Sequence, residues 1–280
     1  MNYEPCKLIA EACCNHQGDF NIAKEMIKSA ELAGADYVKF QKRNFKEAVP
    51  LQVQTKPHPN PINSFGKTYL EHRKKLEFTL EQHKELKKYC EDVGIKYSCS
   101  VWDEDSARDI ISLDPDFIKV PSAMNENYPL LDILFKEYDK DIHISLGMIT
   151  QKAKEDLFDY LRGKEDRVVM YHTTSGYPVK FKELYLREIS ELLYRFSRVG
   201  FSGHHLGIAS DIAAYTLGAS WIERHFTLDR TWKGTDQAAS LEPTGLQKLC
   251  RDLKAVHKSL SYKSELTEDE IANAKKLKIK

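Results

Sequence analysis

Eight times along this chain a short apolar or β-branched run is followed by a longer amphipathic one. The short runs, at 7–13, 36–41, 95–100, 117–121, 142–146, 168–172, 199–202 and 221–226, read as strands. The long ones, at 21–33, 79–93, 104–113, 129–138, 151–161, 182–196, 208–217 and 243–260, read as helices. Strands alternating with helices at this spacing imply right-handed βαβ units and a parallel sheet. Eight such units in one domain match a (β/α)8 TIM barrel. A doubly wound sheet would need a reversal of chain order that the pattern does not show. The barrel is expected over 1–262, followed by a charged, helix-compatible tail at 263–280. Gly34 and Gly94 stand where left-handed helix C-caps belong, and Thr79 with Gln82 forms a capping box. One long irregular stretch, 43–76, interrupts the rhythm after the second strand, and loops of that length are usually functional.

Composition excludes several classes. Lys+Arg and Asp+Glu are both 42, so the basic excess of a nucleic-acid binder is missing. The least polar stretch, 206–222, carries Asp211 and is no membrane span. Glu11 arrives too early for a signal-peptide core, so the expected location is the cytoplasm. The six cysteines form no C-x-x-C pair and no disulfide framework, which reads as reduced thiols.

Chemistry in such a barrel belongs at the C-terminal ends of the strands. Those ends are polar here: Glu11, Asn15 and His16; Lys39 and Gln41; Ser100; Lys119 and Ser122; Ser145; His172 and Ser175; Ser202 and His204; and His225. Any one alone reads as a satisfied polar core residue, but their concentration on one rim points to a site. Lys39 and Lys119 sit inside apolar runs, where an unpaired ammonium costs several kcal/mol. They need an anion, from the protein or from a ligand. Hydroxyls at Ser100, Ser122, Ser145, Ser175 and Ser202 would ring a phosphate with donors. A Schiff base between one lysine and a carbonyl substrate is the other reading, and the pair does not decide. His204 and His225 end neighbouring strands and can share a divalent metal with open positions. Equally, one of them can be a hydrogen-bonding partner only. Glu11 or Cys14 is the candidate for a further ligand or for holding a metal-bound water. His205 should point away and be structural.

The motifs Ile9-Ala10-Glu11, Asn15-His16-Gln17-Gly18-Asp19, Ala33-Gly34-Ala35-Asp36-Tyr37-Val38-Lys39-Phe40-Gln41, Lys119-Val120-Pro121-Ser122, Ser145-Leu146-Gly147-Met148 and Ser175-Gly176-Tyr177-Pro178 resemble the sialic acid synthase family. So do Glu223-Arg224-His225-Phe226-Thr227 and the run 236–243, and the likeness extends from about Lys7 to about Leu253. The resemblance implies condensation of phosphoenolpyruvate with an aminosugar aldehyde to a nine-carbon 2-keto-3-deoxy acid. It implies a divalent metal, manganese first, with magnesium or cobalt as alternatives. His204 and His225 match the family's metal ligands. Lys39, Ser100 (threonine in most members), Lys119, Ser122, Ser145, Ser175 and Ser202 match the phosphoenolpyruvate cradle. Glu11, Gln41, Tyr177 and Asp236 match the catalytic residues around the metal water and the acceptor sugar.

Three departures concern the acceptor. Met124 stands where the family has a sugar-contacting glutamate, and a thioether accepts weakly and donates nothing. Gly203 and His205 replace an aspartate and a threonine. Relatives continue beyond the position of Lys280 into a small antifreeze-like domain, which a partner subunit contributes across a dimer with an arginine for the acceptor pocket. The expectation here is a pocket that is open, covered by the 43–76 stretch, or completed by another chain in a homodimer. The competing functions are a metal-dependent or Schiff-base aldolase using pyruvate, and a barrel that binds phosphoenolpyruvate without turning it over.

Overall fold

The computed structural model describes residues 3–45 and 49–278 and shows a closed barrel of eight parallel strands in sequence order. The strands are β1 (Lys7–Cys13), β2 (Tyr37–Lys42), β3 (Lys96–Val101), β4 (Phe117–Val120), β5 (Asp141–Ser145), β6 (Val168–Thr173), β7 (Val199–Gly203) and β8 (Trp221–His225). The single-domain α/β reading therefore holds, and the ring shuts by pairing of β1 with β8.

Side-chain alternation sorts each strand between two cores. On β1, Leu8, Ala10 and Ala12 face the surrounding helices, whereas Ile9 joins Tyr37, Phe117, Val169 and Tyr171 inside the barrel. His143 stacks on Phe117 with ring centroids 3.7 Å apart and closes this plug. Gly200 makes room for it, since a Cβ there would lie 2.5 Å from the Tyr171 ring. The plug is the floor on which the polar rim rests.

Helix punctuation follows the sequence. Asp19 caps helix Phe20–Leu32 by accepting from the backbone N–H groups of Asn21 and Ile22, and Gly34 and Gly94 both adopt φ +88°. Thr79 and Gln82 form the capping box of helix Leu80–Val93. Two expectations need correction. The helix expected over 182–196 is reduced to Glu188–Leu192 with a 3-10 turn at Phe181–Glu183, because Tyr185 takes a left-handed conformation (φ +45°) that no continuous helix admits. The 43–76 stretch is not irregular throughout. It holds helices Leu51–Gln54 and Tyr69–Leu76, the second opened by a Thr68–Glu71 capping box. Residues 46–48 of that stretch lie outside the described residues. The charged tail contains an exposed helix, Glu268–Leu277, and its last two residues also lie outside the described ones. Among the described residues no helix is long and apolar enough to cross a membrane.

Candidate active site

Parallel register lifts the polar residues to a common height: Glu11 is level with both Lys39 and His225, Ser100 with Lys119, Thr173 with Ser202, and Ser202 with Glu223. They open into one cavity of about 360 Å³ at the C-terminal ends of the strands. All thirteen site residues read from the sequence line it: Glu11, Lys39, Gln41, Ser100, Lys119, Ser122, Ser145, Ser175, Tyr177, Ser202, His204, His225 and Asp236. So do Arg43, Arg73 and Glu223, which the sequence reading did not single out. Ala123 rather than Met124 faces the cavity; Met124 packs against the apolar core, so its thioether is not the contact expected for it.

The two lysines find their anions within the protein. Lys39 is ion-paired with Glu11, lies 3.6 Å from Glu223, and donates to Ser100 Oγ at 2.6 Å. Lys119 lies 3.0 Å from Glu223 Oε2 and 3.4 Å from the centre of the Tyr171 ring. Ser202 donates to Glu223 Oε1 at 2.9 Å, so this carboxylate is held on both oxygens. Burial alone would raise its pKa, but Lys119 and Lys39 overcome that and hold Glu223 well below the usual carboxylate range. Burial presses Lys119 down to about 8, with Lys39 repelling and Glu223 opposing. Glu11 moves up, because burial and Glu223 outweigh its lysine. Its Oε1 accepts from Gln41 Nε2 at 2.9 Å.

Around this floor stand the hydroxyls. Ser122 Oγ accepts the Gly147 backbone N–H at 3.1 Å. A Cβ at Gly147 would lie 2.4 Å from Ser175 Oγ and 2.6 Å from Ser122 Oγ, so only a glycine lets both hydroxyls approach the backbone there.

The histidine pair lies beside them, with ring centroids 5.1 Å apart and the Tyr177 ring 4.3 Å from His204. His204 Nδ1 meets the Thr174 carbonyl at 3.1 Å, which makes it the N–H and leaves the Nε2 lone pair available. Burial lowers the pKa of His204 to about 3, so the ring is neutral. His225 Nδ1 is buried, 3.9 Å from Asp236 Oδ2, and has no hydrogen-bond partner among the described residues. An orphaned buried imidazole nitrogen, a second free lone pair and an adjacent carboxylate are a donor set that fits a divalent metal. Two thiols reach this set: Cys14 lines the cavity with its Sγ 3.9 Å from Asp236 Oδ2, and Cys13, turned to φ +38° after the bulge that follows Glu11, clusters with His225 and Asp236. Cys13 Sγ donates to Asp236 at 3.3 Å, and burial raises its pKa well above the ordinary value, so it stays a thiol and orients the carboxylate. Glu11, the other extra ligand considered, is taken up by Lys39 and Gln41. His205 points away as expected, into a fully buried cluster with Asp211 and Arg224.

The NeuB family model matches residues 26–265 of the chain. Human N-acetylneuraminate-9-phosphate synthase is 39% identical over 258 residues, covering 91% of this chain and 71% of that protein. The N,N'-diacetyllegionaminic acid synthase of Campylobacter jejuni is 34% identical over 257 residues, covering 90% and 77%. Among solved structures, N-acetylneuraminic acid (sialic acid) synthetase from Leptospira borgpetersenii serovar Hardjo-bovis, in complex with citrate, superposes with a TM-score of 0.81. It is 28% identical, with 98% of this chain and 93% of that one covered.

Proposed function

Because the chain belongs to the NeuB family, we propose that it is a synthase joining phosphoenolpyruvate to the aldehyde of an aldose. The product is a 2-keto-3-deoxy acid of the nonulosonic type, and phosphate is released. The observation that carries this reading is the pair of fully buried lysines, Lys39 and Lys119, at the floor of a cavity walled by serine hydroxyls. With Glu11 and Glu223 balancing their charge, the lysines' remaining N–H groups and the serine hydroxyls are the fixed donors that a phosphate and a carboxylate need.

In the reaction, C3 of phosphoenolpyruvate attacks the aldehyde carbon and C2 becomes electron-poor. Water adds at C2, and the C2–O bond to phosphate breaks to leave the 2-keto group. Lys39, Lys119 and the serines hold the phosphate and carboxylate in place throughout. Glu11, with its raised pKa, takes the proton that water releases on adding to C2, which offsets the proton the aldehyde oxygen gains in becoming a hydroxyl; the C2 hydroxyl proton leaves as the phosphate departs. Tyr177 and Asp236 flank the histidine edge, where the aldehyde end of the acceptor lies. His204 and His225 would hold a divalent ion, manganese on this reading, which would supply Lewis-acid polarisation of the aldehyde.

The test is phosphate release from phosphoenolpyruvate with manganese over a panel of aldoses that includes N-acetylmannosamine and diacetamido sugars. Release should need both sugar and metal and be lost in His225→Ala. Calorimetric binding of phosphoenolpyruvate without release from any sugar would instead make this a binding barrel. Borohydride trapping of a lysine–pyruvate adduct would make it an aldolase.

A further inference from the structure

At the end of β1 a cysteine stands in backbone that favours glycine. Cys13 has φ +38°, follows the bulge after Glu11 and is only 1% exposed, so its side chain is kept inside at a cost in backbone strain. Its thiol is free. One donor atom from each of Cys13, His225 and Asp236 lies within 4.8 Å of the other two. Asp236 Oδ2 is the common point, 3.3 Å from Cys13 Sγ and 3.9 Å from His225 Nδ1. The His225 side chain is 7% exposed, and its Nδ1 finds no hydrogen-bond partner among the described residues.

Bonds of about 2.0–2.3 Å to one ion set its donors roughly 3–4 Å apart, close to the spacing already present here. In the metal-free chain the Cys13 proton lies between sulfur and carboxylate, where a cation bound by both would sit. A coordinating thiol is deprotonated outright. Cys14 also reaches Asp236, at 3.9 Å, but it is Cys13 that joins the mutually close set. Soft sulfur changes which ion such a site holds: thiolate favours zinc, whereas imidazole and carboxylate alone are open to manganese.

We propose that Cys13 is a thiolate ligand of the divalent ion, beside His225 and Asp236, and that its sulfur sets the metal preference, toward zinc and cobalt and away from manganese. On binding, the S–H bond breaks as the S–metal bond forms, and the proton leaves to water. The inference rests on the metal-binding part of the reading above, and on neither the acceptor nor phosphoenolpyruvate.

The test needs no turnover. The metal-free full chain is titrated with cobalt(II), and a thiolate-to-cobalt charge-transfer band in the near ultraviolet should grow until the site is filled. Cys13→Ser should abolish the band, and Cys14→Ser should keep it. Calorimetry with zinc and with manganese then reads the preference. A thiol that only orients Asp236 would weaken both ions alike, by about 10–100-fold. A thiolate ligand makes the losses unequal: in Cys13→Ser, zinc affinity should fall at least ~100-fold and manganese affinity less than ~10-fold. Cys13→Gly, which suits φ +38°, should reproduce both results, and melting curves establish that each variant is folded. Cobalt binding without the band, a band that survives Cys13→Ser, or equal losses for zinc and manganese overturns the proposal and leaves the histidine site standing. No binding of any of the three ions refutes the metal reading itself, and this inference with it.

Discussion

Exchanging Glu223 for glutamine removes one negative charge and almost no volume from the cavity floor. Glu223 is the shared partner of Lys119 at 3.0 Å and Lys39 at 3.6 Å. Breaking a buried pair by removing one partner typically costs about 3–5 kcal/mol, provided the orphaned charge stays. Here it has an exit. The pKa of Lys119 is already about 8, so releasing its proton at pH 7 costs one pKa unit, roughly 1–2 kcal/mol. Losing Glu223 also removes the attraction that retains that proton. The destabilisation at pH 7 is thus capped near that value, about 5 °C in melting temperature instead of about 10 °C or more. The ligand then has to restore the proton. Phosphoenolpyruvate should bind Glu223→Gln with uptake of close to one proton, against about a tenth of one in the parent, from a pKa one unit above the working pH. Calorimetry in buffers of differing ionisation enthalpy measures that uptake. A melting loss above ~10 °C, or a binding enthalpy indifferent to the buffer, would refute the reasoning.

The same lysine sets two opposed pH dependences. Its ordinary pKa is 10.5 and its native one about 8, so between these values the unfolded chain holds more protons and Lys119 contributes stability that grows as pH rises. Phosphoenolpyruvate affinity should run the other way, falling above about pH 8 by up to tenfold per pH unit as Lys119 loses its charge; a flat calorimetric profile to pH 9.5 would count against its role. Gly147→Ala forces a methyl group against Ser122 and Ser175, and should weaken phosphoenolpyruvate binding at least ~10-fold, with a stability loss of about 1–3 kcal/mol from overpacking. Unaltered affinity would mean that these serines are not the cradle.

The barrel was legible because every strand is a compact apolar run bounded by punctuation, and the expected and observed strand limits differ by at most one residue. The rim was legible because lysines and histidines are conspicuous inside such runs. Glu223 was hidden for the opposite reason. It stands beside Arg224 and His225, where three successive polar residues obscure which of them point inward. Arg43 and Arg73 belong to a stretch with no hydrophobic period, so nothing in the linear order placed them near β1 or β8. The Thr68–Glu71 box was readable there, and it marks the helix that carries Arg73. Tyr185 shows the converse failure: the periodicity of 182–196 is helical, and one residue's backbone overrides it.

The four charges on the floor come from β1, β2, β4 and β8, and Glu11 reaches the level of His225 only when the two ends of the strand series pair. Before that moment water solvates each of them at no cost. Their dehydration therefore falls due together, at ring closure, which is also the contact of greatest sequence separation in the sheet and the dearest in loop entropy. Closure of the ring is where the folding of this chain should be slowest and most responsive to pH and salt.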